Sequence, residues 1–116
     1  MHPLSAQDLT RALEGRDAET LLSFYTEDAV VRFIDRDHPP SRPLELRGRG
    51  QIARYYEDVC GRAMTHHVDA ISADESHIAF LESCAYADGL KVSCSAMLTL
   101  SGGRIVEQTN VQAWDC

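Results

Sequence analysis

Residues 77–114 read HIAFLESCAYADGLKVSCSAMLTLSGGRIVEQTNVQAW. Large and small residues alternate in this stretch with a period of two, and the alternation breaks at Asp88-Gly89 and again at Ser101-Gly102-Gly103-Arg104. Period-two runs separated by glycine turns are the mark of antiparallel strands joined by hairpins. A similar run begins after Met64 and meets this stretch at Ala73-Asp74-Glu75-Ser76, so residues 65–114 are expected to form a four-stranded antiparallel meander.

Upstream the period is helical. Ser5 caps a first helix, with Asp8 answering it and Leu4 stapling to Leu9; Leu9, Ala12 and Leu13 share one face, and Gly15 stops it. Asp17 caps a second helix with Leu21, Leu22, Phe24 and Tyr25 on its apolar side, and Thr26-Glu27-Asp28 is expected to break it. Ala29 to Ile34 reads as a strand, and Asp35 to Pro43, with three of the four prolines, as a loop. Gly48 to Gly61 is a third helix carrying Ile52, Tyr55, Tyr56 and Val59 at helical spacing. Helices followed by a meander predict an α+β fold, three helices packed on one face of a curved antiparallel sheet.

At 116 residues the chain is one domain, 1–116. Eleven basic residues against eighteen acidic ones give a net charge of −7, which argues against nucleic acid and against an anionic membrane surface. There is no apolar run of membrane-spanning length, and no basic segment leading into an apolar one near the start, so a cytoplasmic location is expected. The cysteines Cys60, Cys84, Cys94 and Cys116 include no Cys-x-x-Cys pair, and they read as reduced, packed thiols. No phosphate-cradling glycine loop, Ser-His-Asp arrangement or dinucleotide fingerprint is present.

Three-residue loops at Asp88-Gly89-Leu90 and Ser101-Gly102-Gly103 would set Cys84 opposite Cys94, Glu82 opposite Ala96, Ala96 opposite Gln108 and Cys94 opposite Asn110. One face then gathers Phe80, Glu82, Cys84, Val92, Cys94, Ala96, Leu98, Val106, Gln108, Asn110, Gln112 and Trp114, and is expected to be concave and covered by the helices. A two-residue loop would flip these assignments. The opposite face gathers Leu81, Ser83, Ser93, Ser95, Met97, Ile105, Thr109 and Val111, suited either to solvent or to a second copy of the chain. Glu82, Gln108, Asn110 and Gln112 form a polar row among apolar neighbours. Burying such groups costs a few kcal/mol each unless they find partners, so the row points to a wet pocket, a ligand or an internal network.

Three segments resemble a known family. Gly15–Val31 (GRDAETLLSFYTEDAVV), Arg47–Tyr56 (RGRGQIARYY) and Gly103–Glu107 (GRIVE) are similar, in order and spacing, to the signatures of SnoaL-like proteins. These are small members of the nuclear-transport-factor-two-like superfamily, which includes ketosteroid isomerases and polyketide cyclases. The resemblance implies a cone-shaped α+β barrel of the cystatin-like type, a homodimer, and a pocket for a small hydrophobic molecule, with no cofactor and no metal. It also implies which isomerase residues are missing: the base position falls on Phe33, the acid on Ala96 and the oxyanion tyrosine on Leu9. Two supporting tyrosines match, as Tyr25 and Tyr56. Steroid isomerisation by the Asp/Tyr mechanism is therefore not expected.

The remaining acid–base candidates are Glu82, His66 and His67. A carboxylate set beside Phe80, Cys84 and Ala96 loses solvation of its charged form, which suits it to proton transfer. His66 and His67 begin the neighbouring strand: a two-residue Asp74-Glu75 turn puts His67 opposite Glu82, and a longer one brings His66 nearest. One of the two would pair with Glu82 or Asp69 while the other faces outward. A metal site built from both is disfavoured because adjacent strand residues point to opposite faces. His38 reads as a loop or lid residue and His77 as an exposed turn residue. Tyr25, Phe33, Tyr56, Cys84, Cys94, Ala96, Gln108, Asn110, Gln112 and Trp114 are expected to line the ligand pocket. The functional expectation is a cofactor-independent isomerase, cyclase, dehydratase or epoxide hydrolase. The alternatives are a non-catalytic binding protein and a dimerisation module without a ligand.

Overall fold

The computed structural model describes residues 3–115. Its elements are α1 (Ala6–Glu14), α2 (Ala18–Ser23), β1 (Tyr25–Ile34), β2 (Leu44–Arg47), α3 (Gly48–Cys60), β3 (Met64–Ala73), β4 (His77–Tyr86), β5 (Lys91–Ser101) and β6 (Arg104–Trp114). The strands form one sheet in the order β2-β1-β6-β5-β4-β3, antiparallel except where β1 runs parallel to β6. α1 packs on β3 and α3 on β1, with α2 against α3, so the helices cover one face. Leu9, Leu21, Val31, Ile52, Ile78, Leu98 and Ile105 are fully enclosed between the layers. Burying each such side chain contributes about 1.5–3 kcal/mol. No helix among the described residues is long and apolar enough to cross a membrane.

The expected helix caps form: Ser5 Oγ accepts from Asp8 N at 3.1 Å and Asp17 Oδ1 from Thr20 N at 3.1 Å. Between these two helices Arg16 sits in the left-handed region (φ 52), and its guanidinium donates to the carbonyls of Arg62 (2.8 Å) and Met64 (3.1 Å). That contact ties the helical corner to the start of β3.

The structure corrects the sequence reading in four places. Thr26-Glu27-Asp28 is not a break but part of β1, which begins at Tyr25; Glu27 and Asp28 are exposed, and the pairing with β6 is irregular between Tyr25 and Val30. A strand can carry acidic residues where its partner lets go. Leu44–Arg47 is a short strand pairing with Val30–Phe33, too brief for its alternation to be read. The β4–β5 turn lies one residue earlier than expected, closed by Tyr86 N donating to Leu90 O at 2.9 Å, with Gly89 at φ 93. Cys84 therefore faces Val92 and Glu82 faces Cys94; the two cysteines are diagonal neighbours, not cross-strand partners. The shift is by two residues, so every side chain keeps its expected face.

The fourth correction is at the β5–β6 turn. Its loop has two residues, Gly102 (φ 60) and Gly103 (φ 81), which by itself would turn the polar row outward. The ladder then shifts between Thr99 and Leu100: Leu100 faces Ile105 but Thr99 faces Glu107, leaving Val106 as an extra residue. Ile105 is consequently buried and Val106 half-buried, the reverse of expectation, while Gln108 and Asn110 return to the concave face.

Candidate functional site

The concave face and the helices enclose a cavity of about 340 Å³, at the small end of ligand pockets. Of the expected lining residues, Phe33, Tyr56, Cys84, Cys94, Gln108, Asn110, Gln112 and Trp114 border it, together with Glu82 and His66. Tyr25 and Ala96 do not; both lie in the core behind the wall. His67 turns to the opposite face, where its Nδ1 lies 2.9 Å from Asp69 Oδ1. His38 meets Asp35 at 2.8 Å, and Asp35 borders the cavity; His77 is exposed.

A shift in the β3–β4 ladder decides between the histidines. The turn closes at Asp74 and His77, and the pairing slips between Val68 and Ala70, so His66 faces Cys84 and His67 faces Ser83. His66 thus shares a face with Glu82 and reaches it diagonally, Nδ1 to Oε2 at 3.2 Å. Their side chains are only 8% and 9% exposed, so solvent scarcely screens the contact. Among the described residues His66 is the one basic side chain within ion-pairing distance of Glu82. An ionised carboxylate only accepts, so the ring presents Nδ1–H to Glu82. In the neutral ring that leaves the lone pair on Nε2, which is buried with no partner among the described residues.

The rest of the polar row is an internal network with a fixed direction. Asn110 Nδ2 lies 3.2 Å from the Arg32 carbonyl, which can only accept. This turns Asn110 Oδ1 toward Gln108, so Gln108 Nε2 donates to it at 2.8 Å. Gln108 Oε1 then faces Tyr25, whose hydroxyl donates at 2.5 Å. Tyr25 has spent its one hydrogen, so at 2.6 Å Tyr56 donates to Tyr25. At the cavity end Tyr56 therefore keeps oxygen lone pairs and no free hydrogen. Burial holds the Tyr25, Tyr55 and Tyr56 phenols well above their ordinary range, so the hydrogens stay in place. Gln112 is set the other way: its Oε1 accepts from Trp114 Nε1 at 3.3 Å, and what it can still offer a ligand is N–H.

The cysteines in the wall are held as thiols in the metal-free protein. Burial first, and the Glu82 carboxylate second, push Cys84 and Cys94 up to about 12. Phe33, at the isomerase base position, packs at a tilt of 40° against Tyr55 with ring centroids 4.6 Å apart and offers no proton acceptor. Leu9 is buried in the core.

The sequence reading missed Asp58 and Arg62, which border the cavity beside Trp114. Arg62 Nη2 binds Asp58 Oδ2 at 2.6 Å, and Arg62 Nη1 donates to the Tyr86 hydroxyl at 2.9 Å. Tyr86 stacks on Trp114 at 6.1 Å, and Arg36 lies 4.6 Å from the Trp114 ring centre. The helical spacing of Asp58 and Arg62 (i, i+4) was the available signal. What joins them to Tyr86 is tertiary.

The SnoaL-like domain pattern matches residues 6–108. No curated protein matches the chain. Among solved structures, an NTF2-like protein of unknown function from Mesorhizobium loti superposes with a TM-score of 0.80 at 15% identity, covering 92% of this chain and 86% of that one. A Kribbella flavida protein provisionally called a ketosteroid isomerase gives 0.74 at 19% identity, with 96% and 75% covered. An NTF-2 like protein of unknown function from Burkholderia xenovorans gives 0.75 at 16%, with 94% and 78% covered. These likenesses establish the cone-shaped α+β fold, and with the domain match across most of its length the chain belongs to the SnoaL-like family, whose members include isomerases and cyclases.

Proposed function

We propose that this protein is a cofactor-independent acid–base enzyme acting on a small hydrophobic molecule, with His66 as the proton acceptor and Glu82 as the group that orients it. The observation that carries this reading is the enclosed 3.2 Å contact of His66 Nδ1 with Glu82, which leaves Nε2 without a partner in a residue bordering the cavity. A neutral imidazole held in one tautomer by a carboxylate is an effective general base near neutral pH. Tyr56 offers an acceptor and Gln112 a donor, so the fitting substrate carries a hydroxyl and a carbonyl on an apolar frame. Nε2 removes a proton α to the carbonyl. The resulting enolate either takes the proton back at the far carbon of a conjugated double bond, an isomerisation, or expels a β-hydroxyl that leaves as water with the proton Nε2 took, a dehydration.

The base can be tested without the natural substrate. In 5-nitrobenzisoxazole a base removes the ring C–H proton as the N–O bond breaks, releasing a coloured cyanonitrophenolate. The expected outcome is turnover that falls about 100-fold or more in His66→Ala and about 10-fold in Glu82→Gln, the range that positioned general bases supply. Equal rates in wild type and His66→Ala would overturn the assignment. A second reading, a non-catalytic holder of the same class of molecule, is favoured by the amide chain, which is satisfied within the protein. Retained binding of such a molecule in His66→Ala, without any proton transfer by wild type, would select it.

A further inference from the structure

His66 Nδ1 has two close neighbours: Glu82 Oε2 at 3.2 Å and Cys84 Sγ at 3.3 Å. All three donor atoms lie within 4.8 Å of one another, and Glu82 and Cys84 are buried. A ring nitrogen carries either one hydrogen or one lone pair, so it cannot serve both neighbours fully. A single divalent ion can serve all three. We propose that His66, Glu82 and Cys84 bind one divalent transition-metal ion of the zinc class, with its fourth position open to the cavity.

Three considerations support the site. The first is geometry. Tetrahedral bonds of about 2.0–2.3 Å set neighbouring ligand atoms about 3.3–3.6 Å apart, and the 3.2 and 3.3 Å contacts are already close to that spacing. The second is chemistry: imidazole, carboxylate and thiolate together suit Zn²⁺ and Co²⁺, whereas Mg²⁺ and Ca²⁺ take oxygen ligands. The third is charge. A dication with one carboxylate and one thiolate is neutral overall, so binding leaves no net charge in an apolar wall. On binding, Cys84 Sγ loses its proton to solvent and the His66 proton moves from Nδ1 to Nε2, so one proton is released per ion.

The site goes beyond the proton-transfer reading and competes with it, because metal at Nδ1 removes both the bond to Glu82 and the free Nε2 lone pair. Full-length protein is treated with chelator, dialysed and titrated with Co²⁺, while the near-ultraviolet thiolate-to-cobalt charge-transfer absorption is followed. The expected result is one ion per chain, no band in Cys84→Ser, an apparent affinity at least about 100-fold weaker in His66→Gln, and an unchanged one in Cys60→Ser. Far-ultraviolet circular dichroism identifies any variant that has failed to fold. No charge-transfer band in wild type, or a band that survives Cys84→Ser, would overturn the site. The benzisoxazole assay is run on chelator-treated protein, so either proposal can fail while the other stands.

Discussion

The directed chain Tyr56–Tyr25–Gln108–Asn110 ends on the Arg32 carbonyl, and that end fixes every hydrogen before it. The direction makes its two tyrosines unequal. Removing the Tyr25 hydroxyl leaves Gln108 Oε1 without its donor and Tyr56 without its acceptor, both in a buried setting. Removing the Tyr56 hydroxyl costs one bond, since Tyr25 still donates. With about 1–3 kcal/mol for each orphaned group, Tyr25→Phe is expected to lose about 3 kcal/mol and Tyr56→Phe about 1 kcal/mol in urea unfolding. Equal losses would mean that the chain runs the other way. The polar row was legible in the alternation of β6, and so was the pairing of Glu82 with a histidine. The direction of the chain was not, because it is set by a backbone carbonyl on β1, and the parallel contact of β1 with β6 leaves no local trace in either segment.

At the scale of elements, alternation told the faces of β4 and β5 correctly, because an error of two residues in register leaves every face unchanged. What alternation cannot reveal is a compensated pair of irregularities. The two-residue Gly102-Gly103 loop and the extra Val106 each reverse the side-chain pattern, and together they restore it from Glu107 onward. Asp69 plays the same part in β3, where the slip sends His66 inward. The two turn glycines also differ in their surroundings. Both have positive φ, but a Cβ on Gly102 meets open space, whereas one on Gly103 would lie 2.6 Å from Pro3 Cα. Leu4 N donates to Gly103 O at 2.9 Å, so the segment leading into α1 is anchored at this point. Gly102→Ala is expected to cost about 1–2 kcal/mol, the strain of a left-handed alanine. Gly103→Ala should cost about twice that, because backbone must also move. Thermal denaturation of the two variants checks the order, and equal losses would show that the Pro3 contact carries no energy.

At the scale of the molecule, the sheet has one face filled by helices and cavity and one left bare. On the bare face Leu81, Met97 and Val111 are 42%, 51% and 50% exposed. They lie on three adjacent strands: Ser95 pairs with both Leu81 and Val111, and Met97 is two residues further along β5. Isolated exposed apolar residues are ordinary, but three on neighbouring strands of one face form a patch, which marks a surface for contact. The small residues between them, Ser93, Ser95 and Thr109, allow close approach of a second sheet. We propose that this face joins two copies of the chain, each contributing about 800 Å² in a contact of standard size. Light scattering at micromolar concentration is expected to give twice 12.9 kDa for wild type and 12.9 kDa for Met97→Glu, because a charge at the centre of an apolar contact is left buried and unpaired. The cavity opens on the other side of the sheet, so Met97→Glu should keep the cobalt absorption and the benzisoxazole turnover. A monomeric wild type would remove the dimer. A Met97→Glu variant that is monomeric but has lost both site readouts would show instead that the cone holds its shape only in the pair.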